Sequence, residues 1–174
     1  MTIRLVKIFL ALSVGLWGLI GTIGNLSVLS EIYETVEQVT AMSGVPEGVG
    51  PPWRTENPIV VWGGVAAIVF GKLAALLGGV GGVVMLRHFK SGSQDFQNSK
   101  MWAIAGCAMA FALTFFSFTV MAESGFFMFY NSGVATAGEL AFRLSGSFAL
   151  IALFIAQPEH LVLKADIESS ENAG

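Results

Sequence analysis

Four charged side chains fall in or at the edge of long apolar runs: Lys72, Glu123, Glu139 and Arg143. Lys72 lies within residues 59–85, ten residues after Trp62. About 20 apolar residues span a bilayer core roughly 30 Å thick. At about 1.5 Å of rise per residue, Lys72 therefore comes near mid-membrane. A lone ammonium there costs several kcal/mol, so it must face other protein or a water-filled gap. Glu139 and Arg143 are four residues apart, which puts them on one helical face in the more favourable acid-first order. Glu123 belongs at the outer end of the third apolar run, and the four charges sum to zero. Such a set can be a polar lock that fixes helix register, or a pocket or proton path opening outward. A neutral, internally paired set leaves no spare group to carry a proton, which favours the lock. On this reading Lys72 extends its stem outward, toward Glu139.

Other chemistry finds little support. Cys107 is the one cysteine and stands in an apolar run, so no intramolecular disulfide is possible. The two histidines, His88 and His160, flank apolar segments and do not form a paired haem arrangement within them. There is no Cys/His spacing for a metal and no nucleophile–base pair that the sequence can identify. The expectation is no enzyme activity, no metal and no cofactor. The net charge of −3 over 174 residues gives no basic surface for nucleic acid.

The elements that must hold these charges are membrane helices. Of the residues, 54% are hydrophobic and 12% charged, against about 25% charged in soluble domains. Spans are expected at about residues 5–24, 59–86, 101–122 and 136–156. The first follows Arg4 and Lys7 as a signal peptide would, but no clear small-x-small cleavage site follows, so a retained span is expected. Gly15, Gly18, Gly21 and Gly24 give it a slim flank. In the second span, Gly71, Ala75 and Gly79 are spaced by four, as are Gly78 and Gly82. Small residues at that spacing let helices approach closely in lipid, where no hydrophobic drive brings them together. Trp53, Trp62 and Trp102 suit interfacial anchoring. Phe111, Phe115, Phe116 and Phe118 read as packing bulk rather than a cofactor box. Phe126, Phe127, Phe129 and Tyr130 make an aromatic loop expected to dip into the interface.

Between the first two spans, Leu29, Ile32, Tyr33, Val36, Val39 and Met42 recur at helical spacing among Glu31, Glu34 and Glu37. This predicts an amphipathic helix over about residues 26–42. Membrane-surface helices are Lys/Arg-rich, so this acidic one should pack on its own bundle or on a partner. Arg4, Lys7, Arg87, Lys90, Lys100 and Lys164 fall on one side and Arg54 on the other. That asymmetry predicts both termini in the cytoplasm, and an acidic cytoplasmic tail over 157–174.

Several features in order are similar to a known family. They are Asn25 closing the first span, residues 36–46 (VEQVTAMSGVP), Trp53 and Arg54 with Pro58 before the second span, Phe96 and Lys100 before the third, Glu123 ahead of an aromatic run, and Glu139-Leu-Ala-Phe-Arg143. In these the chain resembles the bacterial family of predicted small integral membrane proteins known as domain of unknown function 2165. The resemblance runs from the first span to about Ala156. It implies four spans and an inner-membrane location, and no activity. The family pattern has an acid in the second span near Lys72, so no shared charge role is carried over.

The sequence thus predicts an all-α protein, a four-transmembrane-helix bundle over 1–156 with an amphipathic helix in its first extracytoplasmic segment. The function read from it is a non-catalytic accessory or structural subunit of a larger inner-membrane complex, whose partners are the bilayer and other membrane subunits. The alternatives are a small transporter or proton-coupled carrier using Lys72, Glu139 and Arg143, and a lipid- or quinone-binding protein with its groove between the second span and the phenylalanines of the third.

Overall fold

Asn57-Pro58 is a strong helix start, because Asn caps exposed amides and Pro is tolerated in the first turn. In the computed structural model, which describes residues 1–158, the Asn57 side chain accepts from the amide of Ile59 at 2.9 Å and opens helix α3, Pro58–Arg87. Asn131 opens α6, Ser132–Ala156, in the same way through Gly133. Helix α1 runs Thr2–Ser27 and breaks at Val28, and α2 follows over Leu29–Thr40. Short α4, Ser93–Asn98, precedes α5, Met101–Phe111. No strand occurs among the described residues.

The winding of α5 does not stop at Phe111. It continues through Ala112–Gly125 as a wider, π-type helix, with i→i+5 bonding that is rare beyond a single turn. Four stretches are long and apolar enough to cross a membrane: Thr2–Ser27, Pro58–Arg87, Ser93–Gly125 and Ser132–Ala156. The chain is an all-helical, four-span bundle with α2 between the first two spans. All but Gln157 and Pro158 of the acidic tail expected over 157–174 lie outside the described residues, as do His160 and Lys164.

α3 is the central helix, packed between α1 and α5. Its seven glycines each weaken a helix by roughly 1 kcal/mol relative to Ala, and most answer a neighbour. A Cβ on Gly15 of α1 would run into the backbone of Gly78 and Gly79. One on Gly18 would lie 2.7 Å from the Lys72 carbonyl, and one on Gly82 2.7 Å from the Leu12 side chain. Toward α5, Cβ atoms on Gly81 and Gly106 would enter the backbone of Ala103 and Gly78, and one on Gly71 would meet Leu113 at 2.9 Å. Gly24 meets nothing. Ile8, Ala11, Val14, Ala75, Met85, Ala103, Cys107, Phe148 and Ile155 make the buried core around these crossings.

α2 folds back on the bundle. Val36 sits where a Cβ on Gly64 would meet it at 2.7 Å, and Tyr33 meets Trp62 in a tilted ring contact at 5.0 Å between centroids. Val39 joins Met128 and Val134 in a second buried cluster, with Phe118 and Phe126 against it. The turn after α2 puts Gly44 at φ +92°, a left-handed value open to glycine. Trp53 donates its indole hydrogen to the Gly125 carbonyl at 3.0 Å, tying this segment to the end of the third span. In the aromatic loop Met128 is buried, while Phe129 and Tyr130 stay exposed and contact each other at 4.7 Å. Phe111 and Phe115 stack at 5.2 Å, and Phe116 faces outward.

Overpacking a close crossing costs typically 1–3 kcal/mol. Gly106→Leu, which must push α5 away from α3, is expected to lower the thermal midpoint in mild detergent. Gly24→Leu, in open space, is expected not to lower it in the same melt.

Candidate functional site

The four intramembrane charges do not form one cluster. Lys72 extends its stem along α1 beside Gly21, where a Cβ would lie 2.7 Å from the lysine Cδ. Its amine donates to Asn25 Oδ1 at 3.0 Å and lies 5.8 Å from the Trp17 ring centre. The expected reach toward Glu139 is therefore corrected. Asn25 lies one turn nearer the outer end of α1 and its amide oxygen is within the length of the stem, whereas Glu139 is on the far helix, α6, turned outward. A neutral amide and an aromatic face, rather than an acid, answer the charge. The Asn25 Nδ2 is buried and has no hydrogen-bond partner among the described residues.

Glu123 turns to α6. Its carboxylate occupies the space that a side chain on Gly138 would need, beside Met128. Glu139 and Arg143 pair with each other at 3.8 Å, and their side chains are 69% and 78% exposed. The reason is the register of α6. Val134, Gly138, Ala141, Ser145, Phe148 and Ile155 are its buried stripe, and Glu139 and Arg143 fall on the opposite face with Thr136, Gly146 and Ser147, all exposed. At about 1.5 Å per residue, Glu139 stands roughly 10 Å and Arg143 roughly 16 Å into this helix. The ion pair thus lies at membrane depth on the outside of the bundle.

The opposite end of the bundle holds charges that were read from the sequence only as orientation signals. Lys7 and Lys100 are fully buried. Both amines donate to the carbonyl of Gln157, at 2.7 and 2.8 Å, and Lys100 also donates to Gln97 Oε1 at 2.8 Å. They meet the unpaired carbonyls and negative dipole end of α6. Arg4 donates to the carbonyls of Phe89 and Ser91, both at 2.8 Å, and lies over the Phe96 ring at 4.5 Å. These contacts place the start of α1, the end of α3, the start of α5 and the end of α6 on one side. No sequence signal separates a buried terminal lysine from a solvated one, since both follow or precede apolar runs.

At this same end Val84, His88, Asp95, Asn98, Ser99, Met101 and Trp102 line a cavity of about 280 Å³. Trp62 and Trp53, at the other end, are half-exposed. Among the described residues no three His, Cys, Asp or Glu side chains come together as a metal site.

Asn25 and Lys72 should be coupled. Asn25→Leu strands the ammonium without its acceptor, and a lost hydrogen bond to a charged group costs about 1.5–3 kcal/mol. Asn25→Leu is expected to destabilise more than the double variant with Lys72→Met, in a double-mutant cycle read by unfolding in detergent. A double-variant loss equal to the sum of the two single losses would show that the contact carries no energy.

Comparison with known proteins agrees with this architecture. No curated protein and no solved structure matches the chain. A family profile described as predicted small integral membrane protein (DUF2165) matches residues 3–158, which include all four spans, the Lys72–Asn25 contact and the Glu139–Arg143 pair. The chain belongs to the DUF2165 family of small integral membrane proteins.

Proposed function

We propose that this protein is a non-catalytic accessory subunit of a larger bacterial inner-membrane complex, with both termini in the cytoplasm. The observation that carries the reading is the Glu139–Arg143 pair, exposed on the outside of α6 within a span. A charged side chain at the centre of a membrane helix costs roughly 2.5–3.5 kcal/mol on insertion scales, and such groups almost always face protein or water. On this chain the pair is turned away from the other described helices, and a partner helix laid along α6 would cover it. The same face carries Thr136, Gly146 and Ser147, residue types that let a second helix approach and hydrogen-bond in lipid. The charge asymmetry of the loops supports the orientation, because Arg4, Lys7, Arg87, Lys90 and Lys100 gather at one end of the bundle.

The carrier reading needs Lys72, Glu139 and Arg143 on one polar path. Lys72 is engaged by Asn25 on the α1 side of α3, and the other two point away from the bundle. This favours the subunit reading.

The test is purification from native membranes in gentle detergent, with mass spectrometry of what accompanies the chain. A stoichiometric membrane partner is expected, and Arg143→Glu, which sets two acids side by side on an exposed face, is expected to release it while the released chain keeps its own melting curve. Recovery of the wild-type chain only as a monomer or homo-oligomer, or retention of the partner by the variant, would overturn the proposal.

A further inference from the structure

The cavity at the α3–α4–α5 end carries one carboxylate, Asp95, among neutral polar groups and an aromatic wall. His88 Nδ1 lies 2.9 Å from the Val84 carbonyl. A carbonyl only accepts, so Nδ1 carries a hydrogen. Ser99 donates its hydroxyl hydrogen to the Phe96 carbonyl at 2.7 Å, which leaves the oxygen lone pairs. Asn98 Oδ1 accepts from Gln94 at 3.3 Å and keeps a second lone pair. Asp95 is exposed and has no ion pair with any described residue. The walls therefore offer the Asp95 carboxylate and the free lone pairs of Ser99 Oγ and Asn98 Oδ1, beside the Asn98 amide hydrogens, and Trp102 adds an aromatic side chain. Carboxylate, acceptors and ring together suit a cation that carries N–H donors.

Position narrows the source. The cavity lies where α3 ends and α5 begins, the level at which two spans leave the membrane and where Trp belongs to the headgroup belt. Arg87 and Lys90 flank His88 in the chain and are exposed, with no ion pair to any described residue. We propose that this cavity binds the primary ammonium of an ethanolamine phospholipid headgroup, with Asp95 as counter-ion and Trp102 as aromatic wall. The lipid phosphate then lies toward Arg87 and Lys90. A trimethylammonium headgroup lacks the N–H donors, and a glycerol headgroup lacks the charge.

Full-length protein, stripped of lipid in detergent, would be titrated with phosphatidylethanolamine, phosphatidylcholine and phosphatidylglycerol of identical chains, and separately with free ethanolamine. Bound lipid is read by native mass spectrometry. Expected are a preference of about tenfold for the ethanolamine lipid and its loss in Asp95→Asn, an exposed position whose change leaves the fold intact. Equal retention of the three lipids, or an unchanged preference in Asp95→Asn, would overturn the proposal. So would occupancy by free ethanolamine with no retention of the lipid, which would make the ligand a soluble amine.

Discussion

The bundle depends on how closely backbones can approach at α3. In lipid, the hydrocarbon around a helix is as apolar as its neighbours, so association rests on contact between atoms rather than on escape from water. Gly15 against Gly79, and Gly106 against Gly78, bring three helices within backbone reach on two sides of α3. One methyl group at either crossing has nowhere to go. The other features of the membrane region follow from this spacing. With α1 this near, the stem of Lys72 can lie along Gly21, and its amine arrives at Asn25 rather than in hydrocarbon.

The charges are sorted by environment. Lys72 is held inside by a neutral acceptor and an aromatic ring, which lowers its cost without a second buried ion. Lys7 and Lys100 are buried at one end, where the last carbonyls of α6 supply oxygen ligands and a favourable dipole. Glu139 and Arg143 have only each other. Among the described residues this pair stands on the rim of the bundle with no other helix over it.

The two ends of the bundle differ in kind. At one, α2 and the aromatic loop close over the spans through Val39, Met128 and Val134, and Trp53 fastens the loop to Gly125. At the other, cations and backbone carbonyls make the closure, and a polar cavity with Asp95 on its wall opens beside it. Apolar closure suits a surface laid against an interface, and polar closure suits one that meets headgroups.

The number of spans, the acidic amphipathic helix and the packing stripe of α3 were legible in the sequence, because each is a local pattern. Apolar length sets a span, a 3.6-residue period sets a face, and small residues four apart set a contact. The family was legible from the order of Asn25, Trp53, Glu123 and Glu139. The partner of each charge was not. Whether Lys72 meets Asn25 or Glu139, and whether Glu139 and Arg143 point in or out, depends on the rotation of α1 and α6 about their own axes. Those rotations are set by which glycines nest and which side of α6 carries Val134, Gly138 and Ala141 inward. Local sequence determined the helices of this protein. Only tertiary packing, by fixing their rotation, decided which charges are buried, which are paired and which face the lipid.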